Sequence, residues 1–195
     1  MGLFDSLKKK AATDEKNNRP GKGKLLSAED VEKMGFNEIR AVIDRIWDQD
    51  ILYAVVLKAP PAMGEDAEYV LSRAIPRIED PELLQKIAMN RKASLARFTV
   101  NTGVLPQNIL ATVLKYGPDD SIKQDAAEFM VDQELIADVL IHQSRLYDNT
   151  YEYTPIVKNL IRKLNNPDLL KSVAETAESK WIRSFAQNKL ETLQP

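Results

Sequence analysis

Cysteine is absent from this chain of 195 residues, so neither disulfides nor thiolate metal centres can form. That composition fits a reducing compartment. Histidine occurs once, at His142, which rules out a multi-histidine metal site. Glycine is sparse at seven residues, a frequency better suited to helices than to turn-rich sheets. No apolar run approaches the roughly 20 residues that a membrane-spanning helix needs. The opening MGLFDSLKKK sets its lysines after a very short apolar stretch, unlike a secretory signal. The expected location is cytoplasmic.

What is present is a soluble composition, 44% hydrophobic and 29% charged, with a net charge of −2. The charge is uneven. Residues 1–24 hold seven Lys/Arg against Asp5, Asp14 and Glu15, a local net of +4, which leaves the remainder at −6. Residues 1–26 therefore read as a flexible basic tail, and 27–195 as the folded domain. An acidic body argues against nucleic acid as the main partner, because phosphate binding calls for concentrated positive charge.

The domain repeats itself. Five short phrases align on paired apolar residues: DQDIL at 48–52, DPELL at 80–84, PQNIL at 106–110, DQELI at 132–136 and NPDLL at 166–170. The pairs begin at Ile51, Leu83, Ile109, Leu135 and Leu169, at spacings of 32, 26, 26 and 34 residues. Four residues after each pair's first member stands Val55, Ile87, Val113, Val139 or Val173. Five residues before it stands Ile46, Ile78, Val104, Met130 or Leu164. Further apolar pairs precede these in four copies, and only the third lapses, with Asn101 beside Val100. Self-similarity at this period is the signature of a solenoid.

Each part of the phrase has a physical reason. Asp80 and Asn166 can cap a helix, and Pro81 and Pro167 then fall at its first position, where no amide donor is needed. Glu82 and Asp168 favour the positive end of the helix dipole. The apolar positions that follow make one helical stripe, and those upstream make a second on a preceding helix. A break of only about three residues separates the two stripes, so an antiparallel pair is expected. The fold expected is all-α, a right-handed α-solenoid of about five helical hairpins near 36–58, 67–89, 93–115, 121–143 and 154–176. A terminal helix at 179–192 closes the stack. Ser27 and Asp30 are spaced as a capping box for a short helix at 27–34. Pro76 is expected to kink its helix or delay its start.

The phrase, with SKWIRSFAQNKL at 179–190 and NRKASLARF at 90–98, resembles HEAT-like helical repeats of the short bacterial kind. The resemblance covers roughly residues 36–192. It implies a non-catalytic scaffold presenting the concave face of the stack to a protein partner. The alternative is a nucleic-acid-binding repeat protein or, less in keeping with the residues, a small enzyme on the same frame.

Candidate functional residues are few. Arg145, Tyr147, Tyr151 and Tyr153 occupy the longest interruption of the repeat and combine the residue types enriched at binding hot spots. A basic ladder recurs at Arg40, Arg73, Arg97, Lys123, Lys158 and Arg183, and its alignment with the repeat favours a role in stacking. His142 lies at a hairpin end with no metal-ligand spacing around it. No Gly-x-Ser-x-Gly elbow exists, and GKGK at 21–24 lacks phosphate-loop spacing. Glu65, Asp66, Glu68, Asp119 and Asp120 stand at expected helix starts, where acids are stabilising in themselves. No catalytic residue, metal or cofactor is assigned. Met1-Gly2 with Ser6 fits the loose N-myristoylation pattern, and Leu3, Phe4 and Leu7 beside Lys8–Lys10 could make weak membrane contact through residues 1–10.

Overall fold

The computed structural model describes residues 26–146 and 155–193. Within these residues all regular structure is helical, so the chain is all-α. The helices are α1 (Ala28–Lys33), α2 (Phe36–Val42), α3 (Gln49–Leu57), α4 (Glu65–Ala74), α5 (Pro81–Ala88), α6 (Ala93–Asn101), α7 (Gln107–Tyr116), α8 (Asp120–Phe129), α9 (Gln133–Leu146), α10 (Pro155–Lys163), α11 (Pro167–Thr176) and α12 (Lys180–Leu193). No helix among the described residues is long and apolar enough to cross a membrane. The expected tail, including the membrane-contact segment at 1–10, lies outside the described residues except for Leu26.

The repeated phrase builds the start of α3, α5, α7, α9 and α11. Asp48 accepts from the Ile51 amide at 3.1 Å and Asp80 from that of Glu82 at 2.8 Å. Asp132 accepts from Leu135 at 3.1 Å, and Asn166 from Asp168 at 3.0 Å and Leu169 at 3.2 Å. Each bond satisfies an amide that the helix itself leaves without a partner. Pro106 gives α7 no side-chain cap. Ser27 and Asp30 close the expected capping box on α1. α4 stops at Ala74 and a 3-10 turn covers Ile75–Arg77, with Pro76 inside it. α2 passes into a 3-10 turn at Ile43–Arg45 in the same way without a proline, so this ending belongs to the repeat, and the expected kink or late start at Pro76 does not occur.

The two apolar stripes form the core. Leu52, Leu84, Leu110, Ile136 and Leu170, at equivalent places in the five copies, are all buried, as are Val55, Ile87, Val113, Val139 and Val173. Upstream, Ile46, Ile78, Met130 and Leu164 are buried too, but Val104, their counterpart in the third copy, is 40% exposed. The expectation fails there because Gly103 adopts φ 70°, a left-handed turn that re-aims the chain. Leu105, one residue later, takes the buried place.

Helices after the phrase touch in series: α3 with α5, α5 with α7, α7 with α9, and α9 with α11. Helices before the phrase do so as well, α2 with α4, α6 with α8, α8 with α10, and α10 with α12, but α4 and α6 make no comparable approach. Among chain neighbours, the backbones come closest at α3–α4, α5–α6, α7–α8, α9–α10 and α11–α12. The tightest pairs therefore straddle the connections between repeat units, where the antiparallel pair had been expected across the phrase turn. Buried alanines on these helices, among them Ala67, Ala88, Ala96, Ala126 and Ala186, allow close approach, since side-chain size at the contact sets the distance between axes.

Candidate functional site

The five phrase turns are tied to one another by side chains that recur in register. In α3, the Gln49 amide donates to the Arg77 carbonyl at 3.1 Å and accepts from the Glu79 amide at 2.7 Å. In α7, Gln107 donates to the Phe129 carbonyl at 3.1 Å and accepts from Val131 at 2.8 Å and Asp132 at 3.1 Å. In α9, Gln133 donates to the Lys163 carbonyl at 3.0 Å and accepts from Asn165 at 2.7 Å. Each glutamine holds the same place in its phrase and grips the same two places in the next. A primary amide suits this task because it carries donor and acceptor side by side.

A second set runs the opposite way, from a cation to the carbonyls that end a helix of the preceding unit. Arg77 donates to the carbonyls of Ile43, at 2.7 Å, and Ile46. Lys163 donates to Ala127 at 2.8 Å, Glu128 at 2.6 Å and Met130 at 3.2 Å. Lys189 of α12 donates to Ile161 at 2.9 Å, Arg162 at 2.6 Å and the Asn165 side chain at 2.8 Å. Positive charge at a helix C-terminus is favoured by the dipole as well as by these bonds. Burial lowers the pKa of the Lys189 ammonium, and it lowers that of the Arg77 guanidinium against the opposing charge of Asp44. Arg77 also lies over the Trp47 ring at 4.2 Å.

The anticipated basic ladder is not one structural device. Arg40 pairs with Asp66 of α4 and covers the Tyr69 ring at 4.5 Å, with Arg73 over the same ring at 5.6 Å. Arg97 pairs with Asp125 of α8 at 2.7 Å. Lys123 pairs with Asp120 one turn back in its own helix at 3.4 Å. Arg183 donates to the Ala177 and Glu178 carbonyls at 2.7 and 2.8 Å. Lys158 is exposed on α10.

Of the residues expected to bind a partner, Arg145 stands exposed at the end of α9, 3.4 Å from Glu178. Tyr147, Tyr151 and Tyr153 lie outside the described residues. Around Arg145, His142 meets the edge of Tyr116 at 5.0 Å between centroids. Gln143 is fully buried and donates to the Leu114 carbonyl at 2.7 Å, and Ser144 accepts from the Glu178 amide at 2.9 Å. These bonds join α9 to α7 and to the turn before α12.

Large apolar side chains remain uncovered in or beside the phrase turns. Trp47 is 62% exposed, Val131 65% and Phe129 36%, together with Val104. Sequence reasoning did not single out this set or the glutamines. The glutamine signal was nevertheless visible, because DQDIL, PQNIL and DQELI share it at one position where the other two copies carry proline. Among the described residues, no group of three or more His, Asp or Glu side chains could hold a metal ion.

No family model, no curated protein and no solved structure matches this chain.

Proposed function

We propose that the chain is a non-catalytic protein-interaction scaffold, built as a right-handed α-solenoid of the HEAT-like kind that presents its concave face to a protein partner. The carrying observation is the division of labour along the phrase turns. Polar side chains there bond inward from unit to unit, while Trp47, Val104, Phe129 and Val131 stay exposed. The contacts made by Gln49, Gln107 and Gln133 repeat at fixed offsets, which supports translational succession of the units. A frame already ordered in this way binds with little further loss of conformational freedom. Exposed aromatic and aliphatic side chains amid acids suit a protein surface carrying apolar and basic groups. A nucleic-acid partner is disfavoured, because Arg77, Lys163 and Lys189 are engaged by carbonyls, and Arg40 and Arg97 by carboxylates.

The test is affinity capture from native extract of the source cells with the full chain, beside a Trp47→Ala/Val131→Asp variant that keeps its helical circular dichroism. A stoichiometric protein partner held by the first and lost by the second is expected. Capture of no such protein, or salt-sensitive retention of the wild-type chain on heparin, would overturn the reading.

A further inference from the structure

At the junction between the second and third units three features coincide. First, Pro81 occupies the place held by Gln49, Gln107 and Gln133, so α5 has no amide with which to grip the next turn. Second, the place from which Arg77 and Lys163 reach back to the preceding unit is here Gly103, which has no side chain; Phe129 at that place in the fourth unit carries no cation either, but there Gln107 bridges the turn. Third, α4 and α6 approach each other less closely than the corresponding helices do at the other junctions. The outcome is plain in the bonds. Among the described residues, none of the side-chain hydrogen bonds or ion pairs joins 65–88 to 93–116. The first and second units, by contrast, share Arg40–Asp66 and the Gln49 and Arg77 bonds. The third and fourth share Arg97–Asp125, Lys115–Asp138 and the Gln107 and Gln143 bonds.

Apart from Lys92, the N-cap residue of α6, what crosses this junction is apolar. α5 touches both α6 and α7, and Leu83, Leu84, Ile87, Leu95, Ala96 and Ile109 belong to one continuous core. Apolar burial is non-directional, so it resists separation but fixes angles poorly. Lys92, in the connection, reaches back to the Leu57 and Ala59 carbonyls and thereby secures the connection to the first unit. On the other side, the Phe129 ring lies 3.4 Å from where a Cβ on Gly103 would sit, which leans the third unit on the fourth.

We infer that this junction is a hinge: residues 26–88 and 93–193 are two semi-rigid arms that rock about the α5–α7 contact, opening and closing the gap between α4 and α6. The inference rests on the serial-stack reading above and adds to it a place where the frame yields. A scaffold hinged in this way adjusts its span to a partner while each arm keeps its own surface.

Because the chain has no cysteine, spin labels can be placed in pairs without removing any native residue. Five exposed helical positions serve: Glu68 on α4, Ala93 on α6 and Gln124 on α8, with Gln85 on α5 and Asn108 on α7 as the control pair. Double electron–electron resonance on the full chain should give a broader distance distribution for Glu68→Cys/Ala93→Cys than for Ala93→Cys/Gln124→Cys. The Gln85→Cys/Asn108→Cys pair should be as narrow as the latter. Adding Pro81→Gln, which restores the amide at the position where three other units carry it, should narrow the α4–α6 distribution. Equal widths for α4–α6 and α6–α8 would overturn the hinge, as would a broad α5–α7 pair. A broad α6–α8 pair would instead overturn the serial stack itself. An unchanged width in Pro81→Gln would overturn the assignment of the looseness to the missing amide.

Discussion

Gln133 makes two bonds with one planar group, donating to the Lys163 carbonyl and accepting from the Asn165 amide. The Lys163 carbonyl ends α10 and the Asn165 amide lies just beyond it, so no ladder of backbone bonds competes for them. Replacing Gln133 with Ala removes both bonds at once and leaves the partly covered Lys163 carbonyl and the exposed Asn165 amide without their protein partner. A typical intramolecular hydrogen bond contributes about 0.5–1.5 kcal/mol, so Gln133→Ala should lower stability by about 1–3 kcal/mol in urea denaturation. Gln85→Ala, on the exposed face of α5, should stay within about 0.5 kcal/mol of the parent. Equal effects for the two would show that the amide is not a structural bridge. Asp and Glu could not substitute, since a carboxylate has no donor to offer the carbonyl. This explains the residue type, and it explains why net charge and hydropathy carry no trace of it.

At the scale of the element, helix starts govern how the chain is divided. α8 begins at Asp119, whose carboxylate accepts from the Ser121 hydroxyl at 2.7 Å and the Ile122 amide at 3.0 Å. These bonds, the hydroxyl's first, hold the Asp119 pKa below its ordinary value. A carboxylate depressed in the folded state contributes stability above its unfolded pKa, about 3.9 for aspartate, and loses it as pH falls through the folded value. Asp119→Asn retains an acceptor for the amide but no longer titrates. Its acid limb of stability against pH should therefore be shallower below the ordinary aspartate range than the parent's, as read by chemical denaturation at a series of pH values. A limb identical to the parent's would remove Asp119 from the account of acid sensitivity.

Most helix boundaries were legible in the sequence for the same local reasons. Asp80-Pro81 and Asn166-Pro167 state cap and first turn in adjacent residues, and α5 and α11 begin where they say. Pro76 neither kinked α4 nor delayed its start: α4 begins at Glu65, and Pro76 lies in the 3-10 turn that follows it. Illegible was the left-handed turn at Gly103, because the replacement of Val104 by Leu105 in the core depends on a backbone angle that apolar pattern does not encode. Also illegible was the use of each cation. Arg77 and Lys163 cap carbonyls contributed by another unit, while Lys123, matched to the repeat just as well, serves only its own helix. Spacing along the chain identifies equivalent positions, but the acceptor each one meets is fixed by how units pack.

Over the whole molecule, the ends carry a distinct burden. α12 packs on α11 and α10, buries Ile182 and Ala186, and sends Lys189 back to the carbonyls of Ile161 and Arg162. In the proposed serial arrangement, α12 covers the apolar side that α10 and α11 turn toward it. Removing residues 179–195 takes away Ile182 and Ala186 and with them the cover that α12 gives α10 and α11. The shortened chain should melt at a lower temperature and self-associate, as followed by circular dichroism and light scattering. A monomer with the parent's melting temperature would show that α12 is an appendage.

The alternation of glutamine and proline at one position of the phrase has a genetic corollary. Either glutamine codon, CAA or CAG, becomes a proline codon by one base change, and CCA or CCG returns to glutamine in one. If the junctions work as proposed, stiffness along the proposed array can thus be redistributed by inheritance without altering its length, its number of modules or its buried interior.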